Sequence, residues 1–220
     1  MIYFTDNELQ KLVEDDVPYF DLTTHLQNIQ DKTVTLEIFT RETIVVACSD
    51  DAKRVAEIFG CSVIEFAPPG TKRKAGERLI AFEGDYNSVQ RIYKSIQILL
   101  EYSCKMATHS SEMKAIIDAN NPHCELLATR KNFPFSKKLS QKSIMTGGAM
   151  PHRLGLSETI LFFTQHRIVY ANSATFYEAL KEIKQSTAEK KIVVESQEFE
   201  DAKALMQNGA DVLQIEKASI

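Results

Sequence analysis

From residue 125 onward the chain repeats one rhythm: a short apolar run, a loop, then a helix-length amphipathic piece. The apolar runs fall at 125–128, 159–163, 191–195 and 212–216. The helical pieces fall at 137–143, 174–184 and 198–207, the last closed by Asn208-Gly209. Parallel strands need a long crossover between them, and a helix is the usual one, so this alternation predicts a parallel α/β sheet. In such sheets the residues just past the strand C-termini carry the chemistry.

Those positions are rich in charge. Arg130 and Lys131 follow the first run, and His152 and Arg153 close the next short apolar piece. Glu195 and Glu216 end the last two runs. Lys137, Lys138 and Lys142 lie on the intervening helix, and Gly147-Gly148 follows it. Fixed positive charge beside a glycine pair suits a ligand carrying phosphates. Arginine offers a planar donor fork, lysine a point charge, and glycine a close approach to backbone N–H groups. A solvated basic surface fits the same residues, and two strand-end carboxylates could equally be surface caps.

At 220 residues the chain has room for one large or two small domains. A formal charge of −4 leaves no basic excess for a nucleic-acid backbone, so the local basic cluster points to a small ligand. The N-terminus has no basic segment followed by a long apolar core, and nowhere do eighteen apolar residues run together. A cytoplasmic protein that does not span a membrane is expected. Cys48, Cys61, Cys104 and Cys124 are widely spaced with no CxxC pair, which predicts reduced thiols.

The N-terminal half reads differently. Thr5-Asp6-Asn7-Glu8 forms a capping-box pattern opening a helix to about Asp15. Residues 18–24 read as a loop. Val34, Leu36 and Ile38 alternate as in a half-buried strand, and a second strand at 43–48 predicts a hairpin with it. Ser49-Asp50-Asp51 predicts a helix cap, Gly60 a helix stop, 62–66 a strand, and Pro68-Pro69-Gly70 a hard turn. Residues 86–120 read as two helices meeting near Cys104-Lys105. The domain boundary is placed near Asn120-Asn121-Pro122, giving domains 1–120 and 121–220.

The string Thr129-Arg130-Lys131-Asn132-Phe133-Pro134, followed by Gly147-Gly148-Ala149-Met150-Pro151-His152-Arg153-Leu154-Gly155-Leu156-Ser157-Glu158-Thr159, resembles the quinolinate phosphoribosyltransferases. Its Pro-His-Arg form resembles their ModD branch, associated with molybdenum transport. The resemblance implies an α+β N-terminal domain followed by a parallel β/α barrel, here incomplete at the C-terminus, since the family continues past the fourth barrel strand with Gly-rich phosphate loops. It implies a pentosyltransferase acting on phosphoribosyl diphosphate with Mg²⁺, in a homodimer. Arg130, Lys131, His152 and Arg153 match substrate- and pyrophosphate-binding positions. Lys94 matches a basic residue that reaches the neighbouring subunit's site. Glu195 and Glu216 match carboxylates for the ribose and metal, Glu216 standing where aspartate is usual. Phe163 replaces a lysine that meets a substrate carboxylate, which implies a less charged acceptor than quinolinate. Lys105 replaces a glycine, which implies looser helix packing there. The alternative is a catalytically impaired, truncated homologue acting as an anion-binding or assembly protein.

Overall fold

A computed structural model describes residues 2–216. These fall into two compact units that divide between His152 and Arg153.

The first unit opens with α1 (Asp6–Asp16), and the capping box forms as the sequence predicts. The Thr5 hydroxyl accepts from the Glu8 N–H, and the Glu8 carboxylate accepts from the Thr5 N–H. Residues 18–24 are not all loop: Asp21 caps a short α2 (Leu22–Gln27) by accepting from the Thr23 N–H at 2.9 Å. Next come β1 (Thr33–Phe39), β2 (Ile44–Val45), α3 (Ser49–Ile58), β3 (Ser62–Phe66), β4 (Lys72–Arg73) and β5 (Arg78–Asp85).

The expected hairpin does not form. β1 pairs antiparallel with β5, β2 pairs with β4, and the main sheet runs β1-β5-β3. The central strand wins because Leu79, Ile80, Ala81 and Phe82 are all buried, so β5 has apolar partners for both faces. The expected α3 cap is also absent. The Ser49 hydroxyl donates instead to the Ala67 carbonyl at 2.6 Å, and Cys48 precedes the helix in a left-handed conformation, φ 54°.

α4 (Tyr86–Asn120) is one continuous helix of 35 residues, not two. It contains neither glycine nor proline, and Asp85 caps it by accepting from the Asn87 and Ser88 N–H groups. Its apolar stripe, Val89, Ile92, Ile96, Leu99, Leu100 and Cys104, joins the core under the sheet. Lys105 points outward and pairs with Glu42 at 3.3 Å, so its bulk meets no packed neighbour. The close approach to α4 comes from elsewhere. A methyl group built on Gly147 would stand 2.2 Å from the Ala107 carbonyl oxygen. β6 (Leu127–Ala128), α5 (Lys137–Thr146) and β7 (Met150–Pro151) complete this unit, with β6 and β7 parallel.

The second unit follows the predicted rhythm: β8 (Ile160–Phe162), α6 (Thr164–Arg167), α7 (Ser173–Ser186), β9 (Ile192–Ser196), α8 (Phe199–Gln207) and β10 (Val212–Ile215). The three strands are parallel, ordered β8-β9-β10. Alternate side chains, Ile160, Phe162, Ile192, Val194 and Leu213, pack with Phe176, Leu180 and Leu205 of the helices. The other face therefore carries Leu161, Val193, Glu195 and Gln214. No helix among the described residues is long and apolar enough to cross a membrane. Cys48, Cys61 and Cys104 are buried free thiols, and Cys124 is an exposed one.

Candidate active site

In the first unit the parallel pair β6/β7 positions the basic residues. The His152 N–H donates to the Ala128 carbonyl at 3.0 Å, extending the ladder one step past β7. Arg130 and Lys131 follow directly after the end of β6. The Thr129 hydroxyl accepts from the Lys131 N–H, and the Asn132 N–H donates back to the Arg130 carbonyl at 2.9 Å. This tight turn leaves Arg130 and Lys131 exposed, with His152 half-buried on the adjacent strand end. Among the described residues neither Arg130 nor Lys131 forms an ion pair with a carboxylate, whereas Lys138 and Lys142 do.

Lys138 donates to both Glu8 carboxylate oxygens at 2.7 Å and lies over the Phe4 ring. That ammonium, with the Thr5 backbone and hydroxyl donors, holds the Glu8 carboxyl at about 2. Lys142 is buried and donates to Asp50 at 2.7 Å and Asp51 at 2.6 Å. Burial pulls against its charge, but two carboxylates keep the ammonium protonated and its pKa raised. Both lysines tie the fold together, so the sequence cluster of positive charge is smaller in space than along the chain. Gly147 and Gly148 likewise offer no anion cradle. Their N–H groups donate to the Ser143 and Met145 carbonyls, closing α5. Lys94 is exposed on α4, donating to the Gln97 side chain at 3.0 Å.

In the second unit the strand register builds a row across the sheet. Phe162 pairs with Val194 and Val194 with Leu213, so one step further on come Phe163, Glu195 and Gln214. Glu195 and Gln214 stand on the face turned away from the helix-packed core, and Phe163 lies one residue past the end of β8, just before α6. The Glu195 side chain is 7% exposed and accepts from the Gln214 amide at 3.1 Å. Glu216 follows β10 two residues beyond Gln214, and its N–H donates to the Ser196 carbonyl at 3.4 Å. Phe163 stacks on His166, ring centroids 5.7 Å apart, and its N–H donates to His166 Nδ1 at 2.9 Å. Arg153 is 7% exposed and reaches the Thr159 carbonyl at 3.5 Å.

A side-chain network outside the predicted site residues fixes the end of β9. Arg167 grips Asp201 with two hydrogen bonds of 2.7 and 2.9 Å, and the Tyr177 and Ser196 hydroxyls donate to the same carboxylate. Burial alone would raise the Asp201 carboxyl, but these three donors hold it at about 2. Gln214 sits inside an apolar run of the sequence, and a lone amide among Val212, Leu213 and Ile215 is the signal that points to it. Two cavities among the described residues, of about 360 and 600 Å³, lie in the first unit and are lined by none of the predicted site residues.

Known proteins share this arrangement of sequence. Residues 21–104 match the quinolinate phosphoribosyl transferase N-terminal domain, and residues 106–220 match the C-terminal domain. ModD of Rhodobacter capsulatus, a protein named as a pyrophosphorylase, is 31% identical over 217 residues, covering 99% of this chain and 83% of its own. NadC from Streptococcus pyogenes superimposes with a TM-score of 0.87 at 17% identity, over 100% of this chain and 79% of its own. The nicotinate-nucleotide pyrophosphorylase from Francisella tularensis gives 0.86 at 20% identity, over 99% and 78%.

Proposed function

Because the chain belongs to the quinolinate phosphoribosyltransferase family, and within it is ModD-like, we propose that it exchanges an acceptor for pyrophosphate at C1 of phosphoribosyl diphosphate. The C1–oxygen bond breaks with its electron pair leaving on pyrophosphate, and a lone pair on the acceptor forms the new bond to C1. The observation that carries this reading is the pair of exposed cations, Arg130 and Lys131, beside His152 at adjacent parallel strand ends, without carboxylate partners among the described residues. Arg130, Lys131, His152 and Arg153 are assigned to the phosphate and pyrophosphate oxygens. Glu195 and Glu216 are assigned to the ribose, where positive charge develops as the leaving group departs.

Magnesium fits the donor set. Among the described residues no three His, Cys, Asp or Glu side chains cluster as a dedicated metal site. Mg²⁺ commonly needs only one or two carboxylates, with substrate phosphates and water completing its shell, and Glu195 and Glu216 at neighbouring strand ends supply that number. When bound, the ion would neutralise charge on the departing pyrophosphate. Phe163 supports an acceptor less charged than a dicarboxylate, and the ModD likeness supports a link to molybdenum transport. Lys94, exposed on α4, is assigned to the site of a second subunit in a homodimer.

The test is acceptor-dependent release of pyrophosphate from phosphoribosyl diphosphate and Mg²⁺, screened over heteroaromatic acids and amines. Release that falls at least tenfold in Arg130→Ala supports the assignment. Stabilisation by the substrate without any release across the screen would identify an anion-binding protein instead.

A further inference from the structure

Glu195 presents an electrostatic problem that the rest of the second unit does not share. Glu195 is 7% exposed as a residue, yet among the described residues its carboxylate has no cationic partner. Asp201 and Asp211, the other well-covered carboxylates of that unit, are each paired with Arg167 or Lys184. A buried carboxylate held without a counter-charge is costly unless something fixes it and something positive arrives. One neutral donor reaches it, the Gln214 amide, 3.1 Å from Oε2.

We propose that Gln214 is the positioning residue of the Glu195 carboxylate, holding one oxygen so that the other meets the cation of the bound substrate. The inference rests on the phosphoribosyl-transfer reading above. Register makes the contact a built one: Gln214 and Glu195 are direct neighbours across the parallel pair β9/β10, on the face away from the helix-packed core. Leu213 and Ile215 flank Gln214, and Leu213 turns to the opposite side into that core. An amide suits the position for a specific reason. It orients the carboxylate without cancelling its charge, whereas arginine or lysine would satisfy Glu195 permanently and leave nothing for a ligand. A leucine or methionine would leave the side chain to choose among rotamers. The cation served is the magnesium carried by pyrophosphate or the electron-poor ribosyl carbon.

The experiment is calorimetric titration of the full chain with phosphoribosyl diphosphate in MgCl₂, for wild type, Gln214→Met, Glu195→Gln and the double variant, with melting curves recorded alongside. Outer-shell partners of this kind are worth roughly 10–100-fold in affinity or activity. Gln214→Met is expected to bind at least tenfold more weakly at an unchanged melting temperature. In the Glu195→Gln background the same change is expected to have no further effect, because the two residues act as one unit. Gln214→Asn, which keeps the amide on a shorter stem, is expected to fall between wild type and Gln214→Met. It serves in place of the methionine variant if that one does not fold. Wild-type affinity in Gln214→Met, with Glu195→Gln weakened, overturns the inference. Equal losses from Gln214→Met in both backgrounds overturn it too. Undiminished affinity in Glu195→Gln overturns the underlying assignment of Glu195 as well.

Discussion

Replacing Lys142 by methionine keeps most of the length of the side chain and removes its charge, which separates a structural ammonium from a ligand-binding one. In the native fold the ammonium lies 2.6 Å from Asp51 and 2.7 Å from Asp50, and the Lys142 and Asp51 side chains are only 6% and 7% exposed. Removing one partner of a buried pair strands the other charge, at a cost of about 3–5 kcal/mol. For a chain of this length that is a fall in melting temperature on the order of 10 °C. Burial already raises the Asp51 carboxyl above its usual value, with Lys142 pulling the other way. Without Lys142 its folded pKa rises further above the unfolded one. The neutral acid is then favoured at low pH, and stability is lost as pH climbs through the folded pKa. The deficit of Lys142→Met should therefore be largest near neutrality and shrink as pH falls toward 4, read from urea denaturation at several pH values. The double variant Asp51→Asn, Lys142→Met should recover much of the loss, since no lone charge remains at Asp51. A single variant within about 1 kcal/mol of wild type at neutral pH would refute the argument.

Gly147→Ala should destabilise by about 1–3 kcal/mol or more, because its methyl would sit 2.2 Å from a backbone oxygen of α4. Gly155→Ala, with open space at the same position, should be neutral in the same denaturation series. Asp201 has a depressed carboxyl at about 2, so its contribution is present above the unfolded carboxylate pKa and is lost as pH falls toward 2. That contribution is roughly 2 kcal/mol. The stability gap between wild type and Asp201→Asn should thus be wide at pH 6 and close by pH 2, measured by chemical denaturation.

The βα units of the second half were legible because helix and strand periods differ and each unit is local in sequence. α1 was legible for the same reason, since Thr5 and Glu8 satisfy each other within one turn. Strand partners were not: β1 finds β5 across an intervening helix and strands, and nothing in 33–48 forbids the nearer hairpin. The two helices expected to meet near Cys104-Lys105 are one, since no glycine or proline interrupts 86–120 and Lys105 points to solvent. At the candidate site, types and positions of residues were legible, while their partners were not. A lysine facing water and a lysine clamped between Asp50 and Asp51 look alike in sequence. Gly147-Gly148 looks the same whether it meets a phosphate or ends a helix against α4.

The central claim is that Arg130 and Lys131, left without carboxylate partners among the described residues, hold the phosphates of an activated ribose. Direct calorimetric titration of the wild-type chain and Arg130→Ala with phosphoribosyl diphosphate and Mg²⁺, at low and at raised salt, measures it. Saturable binding that weakens with salt and drops at least tenfold in Arg130→Ala, with the melting temperature unchanged, is the result this account predicts. No saturable heat with wild type, or identical isotherms for both proteins, would contradict it.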